Sequence, residues 1–471
     1  MEVYINEEQI IKEAQNRLQR YLPIEWEGNR YNAMDAWNIL IASAAMGGSL
    51  ASVCRECKDT PHNNTLRDQL TAQNWNDEQI EEGLNKLLAE SSLQSSWPGS
   101  YQIAIDLHEE PFYGEIPQED PEIIRRGEAK AGTTYFHVFA TAYVIRSNRR
   151  WTLALARVRA NESMLSVVDR MRERVENLGI KVSVYLLDRQ FWCYELLEAW
   201  KEIPYIIPIR KTGKEGSGGG TRPLFEFKKS QFETYTMTSQ TKQTMEIEVA
   251  VVVLPETAEQ KQKRISKFEK AYQKAKEKEQ EKAQLFNKNP TPATKRSLTC
   301  AKNALDKARE ELNKERKSKL KTALCYAVNK VKQWSLKQIY QTYRRRFGIE
   351  SSYRQSRQAR MVTTSRKPWF RLLRFGIAMA LRNLWIEVRW LLGEPKQGRS
   401  GRKIPKDLLP FPMFLRWIVS AFWKIAGFRT YLLPQSDLPE PLWKRPQEKR
   451  EELTPALLHE GPSIQAIASN F

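Results

Sequence analysis

Histidine is nearly absent, with four residues in a chain of 471. So few imidazoles argue against a histidine-built metal centre. Cysteine is scarce as well, and its number is odd, five between Cys54 and Cys325. That excludes a disulfide framework and fits a reducing compartment. Cys54-x-x-Cys57 has His62 nearby but no second ligand pair at the spacing a structural zinc site needs. Two buried thiols at helical spacing explain it better. Long uncharged apolar runs are missing too. Residues 375–381 and 417–423 are the most apolar stretches, and Arg382, Arg389, Arg416, Lys424 and Arg429 cut them short. Neither approaches the roughly 20 apolar residues of a membrane span. The first residues, MEVYINEEQIIKEAQ, are acidic and amphipathic, which predicts no export signal. The expectation is a cytoplasmic chain with no membrane partner.

What is plentiful is positive charge. Lys and Arg number 76 against 56 Asp and Glu, a formal net charge of +20. A hydrophobic share of 41% supports a packed core and excludes global disorder. The charge predicts a partner rich in phosphate, nucleic acid first. The alternative is a solvated lysine-rich surface.

The sequence divides into six stretches. Residues 1–98 read as helical. Ser49 caps a helix bearing Leu50, Val53 and Cys57 on one face, Pro61 breaks it, and Asn63 or Asn64 caps the next, with Leu66 and Leu70 one turn apart. Two short helices with a tight break predict a helix-turn-helix, with Arg67 and Gln69 as its base-reading candidates, or else a plain helical bundle. Residues 99–210 alternate as strands YQIAIDL, FHVFATAYVI and WTLALARV, the last two joined by Ser-Asn-Arg-Arg. A helix capped by Asn161, the buried run VSVYLL, a helix over 195–200 and the run YIIPI follow, the pattern of a mixed α/β sheet. After the break GSGGGTRP, residues 211–255 predict a separate small β insertion. Residues 256–322 are rich in Lys, Glu, Gln and Ala. The central NKNPTPA divides them into an exposed helical hairpin, either a solvated arm or a DNA-contacting one. Residues 323–392 hold a strand, one long helix from about 336 to 358, and a basic amphipathic segment. There Arg360, Arg366, Lys367, Arg371 and Arg374 interleave with Trp369, Phe370 and Phe375, suited to tracking a DNA backbone. Residues 393–471 form a basic C-terminal region, a candidate for dimerisation or DNA contacts and poorly ordered beyond Pro434.

Three carboxylates carry the chemical signal. Asp106 and Asp188 each end a predicted strand, and strand ends in an α/β sheet can converge on one cleft. The third is Glu350, in Tyr343-x2-Arg346-x3-Glu350-x6-Arg357. At about 100° per residue these four side chains share one face of a single helix. A carboxylate on a cationic stripe suits a divalent cation flanked by phosphates. Hard cations prefer oxygen ligands, two of them can drive phosphodiester cleavage, and Arg346 and Arg357 can bind phosphate. Tyr343 can position a phosphate through its hydroxyl. Glu109, Glu110 and Glu115 read as loop charges, and His137 as a satisfied sheet residue.

These pieces resemble an insertion-sequence DDE transposase with an RNase H-like core, in the group marked by a Tyr-Arg-Glu-Lys signature. The matching segments are YQIAIDLHEEPFYGE around Asp106, VYLLDRQF around Asp188, and YRRRFGIESSYRQSR. Two features depart from the pattern: Arg357 stands where the signature has lysine, and Arg189 and Gln190 precede Phe191. The resemblance spans about residues 100–392. It implies catalytic, metal-holding Asp106, Asp188 and Glu350 with two Mg²⁺ or Mn²⁺ ions, and DNA contacts by Tyr343, Arg346, Arg357, Arg360 and Lys367. It also implies cleavage and strand transfer at the terminal inverted repeats of its own element, target DNA as a further partner, a homodimeric synaptic complex, and a prokaryotic, nucleoid-associated location. An excision route through a DNA hairpin follows from the same resemblance, with Phe225, Phe227, Phe232 and Tyr235 as candidates to hold a flipped base, or simply to pack the β layer. The competing reading is a silent or domesticated sequence-specific DNA-binding protein that keeps the triad unused.

Overall fold

The computed structural model describes residues 5–90, 99–145, 150–214, 219–255, 257–317, 321–331, 333–395, 402–405 and 407–427. The expected Ser-Asn-Arg-Arg turn falls largely outside these residues, the break GSGGGTRP does so at its first three residues, and the tail beyond Pro434 does so entirely.

Five helices come first: α1 (Glu7–Tyr21), α2 (Ala33–Met46), α3 (Leu50–Glu56), α4 (Asn63–Ala72) and α5 (Asp77–Ala89). Asn6, Asn32, Ser49 and Asn76 each close a reciprocal capping box, which satisfies otherwise orphaned N–H groups. His62, not Asn63 or Asn64, caps α4 through its ring nitrogen. α2 is buried on all sides from Ala36 to Ala45, as an all-round apolar helix must be. A Cβ on Gly83 of α5 would lie 2.6 Å from the Tyr21 carbonyl oxygen, so only glycine lets α5 approach the end of α1 this closely. Among the described residues no single helix is long and apolar enough to cross a membrane.

The strands of the main sheet are β1 (Tyr101–Pro111), β2 (Arg125–Lys130), β3 (Thr133–Ile145), β4 (Thr152–Val158), β5 (Val182–Leu187), β6 (Tyr205–Pro208), β7 (Gln231–Thr238), β8 (Thr244–Pro255) and β9 (Lys321–Asn329). They form one mixed sheet, ordered β2-β3-β1-β5-β6-β9-β8-β7, with β4 also on β3. The centre is parallel, β1 to β5 to β6, while β3 runs antiparallel to β1 and β4 to β3. Their near-continuous apolar runs fit strands covered on both faces. Two helices, α6 (Met164–Asn177) and α7 (Tyr194–Ala199), link the parallel strands. Ser163 rather than Asn161 caps α6. The segment 231–255 is not a separate layer. β8 pairs along its length with β9, and β9 with β6, so the insertion widens the main sheet. β2 was not foreseen, because Arg-Arg-Gly-Glu-Ala-Lys carries no apolar alternation.

Two long helices, α8 (Ala258–Lys288) and α9 (Pro292–Lys317), leave the sheet between β8 and β9. Arg316 of α9 pairs with Glu269 of α8 at 2.8 Å, and Arg264 with Glu315, which aligns the arms antiparallel. Next come α10 (Leu336–Arg346), α11 (Gly348–Gln358), α12 (Pro368–Leu392) and α13 (Phe411–Ala426). α12 is a core helix. Its Arg382 donates to the Arg150 carbonyl at 2.7 Å, and Asn383 exchanges hydrogen bonds of 3.0 and 2.8 Å with the Thr152 backbone. α13 turns back onto α1 and α2, burying Phe411, Phe414, Ile418 and Phe422. It thereby completes the N-terminal helical layer.

Candidate active site

The parallel register of β1 and β5 ends at the pair Ile105–Leu187. The next residue along each segment is an aspartate, Asp106 still within β1 and Asp188 just past the end of β5, so the backbone sets the two carboxylates side by side. β1 itself continues to Pro111, held by β3, so Asp106 lies within the strand and not at its end.

Arg346 lies between the aspartates. Its guanidinium is 2.8 Å from Asp106 Oδ1 and 3.5 Å from Asp188 Oδ1. Burial pushes the Asp106 carboxyl up to about 6, opposed by Arg346 and reinforced by Asp188. Burial opposes charge on Arg346, yet the neighbouring carboxylates hold its pKa above the ordinary value. Tyr343 is buried, and its hydroxyl donates to the Leu187 carbonyl at 3.2 Å. That hydroxyl, expected on a phosphate, is bonded here to the strand end that precedes Asp188.

The single helix expected over 336–358 is two. Phe347 has φ −56° and ψ −14°, and its N–H reaches back to the Arg344 carbonyl at 3.2 Å, which tightens the turn. Gly348 follows, a poor helix former, and Arg150 donates to its carbonyl at 3.0 Å. The break ends the shared face. Tyr343 and Arg346 point inward, whereas Glu350 and Arg357 are exposed. Among the described residues, no three His, Cys, Asp or Glu side chains gather into a metal-holding group. Asp106 and Asp188 offer oxygen ligands that suit a hard cation, and Glu350 does not join them in this conformation.

Behind the aspartates lies a second buried charge cluster. Glu110, two residues beyond His108 on the same strand face, forms an ion pair with Arg360 at 2.8 Å and accepts a hydrogen bond from Arg374. Arg360 also donates to His108 Nε2 at 3.1 Å, which requires that nitrogen to be unprotonated. His108 stacks on Phe375, centroids 5.4 Å apart, and tilts against Tyr353 at 4.8 Å. Burial, then the positive charges of Arg360, Arg357 and Arg374, hold it well below the ordinary histidine pKa. Arg360, expected on DNA, is thus an internal counter-ion, and Glu110, expected in a loop, is its buried anchor. The period-two spacing of Asp106, His108 and Glu110 was the signal that marks them as one strand. His137 is buried against Arg157, 3.2 Å away.

Other candidates divide in the same way. Gln69 is engaged at both ends by the Glu27 backbone, each bond 3.1 Å, and is not free to read a base. Arg67 is exposed. Lys367 is exposed and donates to Thr71 Oγ1 at 2.7 Å. Phe225, Phe227 and Tyr235 pack on the core, and Phe232 is exposed. Trp192, four residues past Asp188, meets Tyr235 with centroids 6.4 Å apart, a neighbour that strand patterns alone did not reveal. Cys54 and Cys57 are buried, and burial, with the neighbouring thiol, pushes Cys54 up to about 12, an inert state.

No protein-family model matches this chain, and no curated protein matches it by sequence. Among solved structures, it is similar to a piggyBac transposase in a synaptic complex with hairpin DNA, seen by cryo-EM. Identity is 10% and the TM-score 0.41, over 96% of this chain and 84% of that one. A likeness that loose carries no argument about family or chemistry.

Proposed function

We propose that this chain is a DDE-type DNA transposase that cleaves and transfers strands at the ends of its own insertion sequence. The observation that carries the reading is the placement of Asp106 and Asp188 side by side where the parallel pairing of β1 and β5 stops. The strand order β4-β3-β1-β5-β6, antiparallel on one side and parallel on the other, supports an RNase H-like core beneath that pair.

Asp106 and Asp188 would hold Mg²⁺ or Mn²⁺, with Glu350 as third ligand. When bound, such ions supply the charge that activates a water or 3′-hydroxyl and stabilises the leaving oxygen. Tyr343 keeps the Asp188 strand end in place through the Leu187 carbonyl. Arg346 balances the aspartates in the free protein and is placed to meet a phosphate entering beside them. Arg357, exposed on α11, would take a neighbouring phosphate. The partners proposed are double-stranded DNA at the element ends and the target, and a second copy of the chain to pair two ends.

Two observations favour a second reading, a DNA-binding protein that no longer cuts. Glu350 stands apart from the aspartates, and a guanidinium fills the space between them.

The experiment is cleavage of a labelled duplex spanning the DNA that flanks the coding sequence, with Mg²⁺, Mn²⁺ or EDTA, for wild type and Glu350→Ala. Metal-dependent nicking at one boundary, lost in the variant, is the expected result. Tight sequence-specific binding without cleavage under any condition selects the second reading.

A further inference from the structure

Away from the aspartates, a cleft of about 480 Å³ opens between α4 and the segment that links α11 to α12. Its charged walls are Arg67 and Lys367, and its polar surface is hydroxyl, including Ser49, Thr71 and Thr364. Among the described residues no carboxylate lines it, although the chain has 56 acidic residues. Among the described residues neither cation is paired with an acid. Lys367 is pre-set, its ammonium on Thr71 Oγ1 at 2.7 Å and 5.9 Å from the centre of the Trp369 ring. The linking segment is fixed as well. The Val362 N–H donates to the Gly48 carbonyl at 2.9 Å, and Arg371 Nε to the Ser365 carbonyl at 2.9 Å. Little ordering would therefore be lost when a ligand binds.

One held cation, Lys367, and one exposed cation, Arg67, neither paired with an acid among the described residues, stand among hydroxyl groups and match a ligand with repeated negative charge and ester oxygens. We propose that this cleft seats the phosphodiester backbone of DNA, with one phosphate on Arg67 and one on Lys367. The duplex is thereby led from α4 to the chain segment that follows Glu350. The contact is independent of sequence, because Gln69, the other base-reading candidate on α4, is held by Glu27. The proposal rests on the DNA-acting reading given above.

The test is fluorescence anisotropy of a labelled mixed-sequence duplex, titrated from about 50 to about 200 mM salt. Each phosphate contact contributes a slope of about −0.9 to log K against log salt. Arg67→Ala/Lys367→Ala should flatten the slope by about 1.8. Over that fourfold salt range, wild type should lose about 12-fold more affinity than the double variant. Arg67→Lys/Lys367→Arg, which keeps both charges, should retain the wild-type slope. If the double variant does not melt cooperatively, Arg67→Ala alone, an exposed change, should flatten the slope by about 0.9. A steep slope identical in wild type and alanine variants overturns the cleft proposal and leaves the DNA-acting reading standing. A wild type that binds no duplex at any salt overturns both.

Discussion

Arg346 offers the sharpest perturbation, because it is the positive partner of two carboxylates that the backbone forces together. Arg346→Met keeps the stem and deletes the charge. Two unit charges about 4 Å apart are worth roughly 4 kcal/mol at an effective dielectric of about 20, and removing one member of a buried pair costs about 3–5 kcal/mol. Asp106 and Arg346 are nearly buried, with side chains 13% and 9% exposed, so that range applies to their bond. Asp188 is 38% exposed, and solvent screens most of its share. The variant should therefore be about 3 kcal/mol less stable than wild type in EDTA. If the aspartates are cation ligands, Mn²⁺ or Mg²⁺ should take over the lost counter-charge. An ion at about 100 times its dissociation constant adds roughly 2.7 kcal/mol, and the variant should gain more than wild type, where the ion competes with the guanidinium. Thermal melts of both proteins across a divalent-ion titration read this without any activity assay. A variant as stable as wild type in EDTA would refute the counter-ion role. Equal metal-induced shifts in the two proteins would refute the competition.

Two further outcomes can be measured. Burial, then the nearby arginines, push His137 down to about 2 in the folded chain, against about 6.5 when unfolded. The unfolded chain alone takes up that proton, so stability is lost as pH falls below 6.5, by about 1.4 kcal/mol per unit. Asp106, raised to about 6, contributes with the opposite sign between about 6 and 4, so the total curve is not diagnostic. His137→Gln, which keeps an acceptor for Arg157, should lose about 1.6 kcal/mol less than wild type between pH 6.5 and 5. Parallel denaturation curves for the two would contradict the assignment. The second outcome concerns the helical hairpin. Pro255 and Lys321 are register partners, so its two ends meet across one strand pair. Replacing residues 256–320 by an Asn-Gly turn should leave a soluble protein with a cooperative melt. An insoluble or non-cooperative product would show that α8 and α9 support the sheet.

The strands of the core were legible because their apolar runs are long and bounded, as in VSVYLL before Asp188. Helix starts were legible where a side chain caps them, as at Ser49. The missed features have physical causes. β2 is hidden by its polar composition and exists because β3 offers it an edge. The joining of β7 and β8 to the main sheet depends on β9, which lies beyond an insertion of some sixty residues, and no local pattern reports a pairing so distant. The signature stripe failed at one peptide. A constant 100° step carries Glu350 onto the face of Tyr343 and Arg346, but the tight turn at Phe347 and the Arg150 bond to Gly348 reset the phase.

That reset also changes how the net charge should be read. Many arginines that make the chain basic are internal counter-ions: Arg17 for Glu387, Arg157 for Asp77, Arg174 for Glu81, Arg360 and Arg374 for Glu110, and Arg346 for Asp106. Each is paired with a buried or partly buried carboxylate, Arg360 and Arg374 sharing one, and so projects less field into solvent than a free cation. The sequence-wide excess must therefore sit on the other cations, and a run of these lies on both sides of the break. Arg344, Arg345, Arg354, Arg357, Arg366 and Lys367 are all exposed. They lie on α10, α11 and the segment after them, the same stretch that carries Glu350 and lines the cleft against α4. A polyanion drawn to these exposed cations would be brought to Glu350 and the linking segment first, while the inward-facing Arg346 offsets part of the charge of the aspartates.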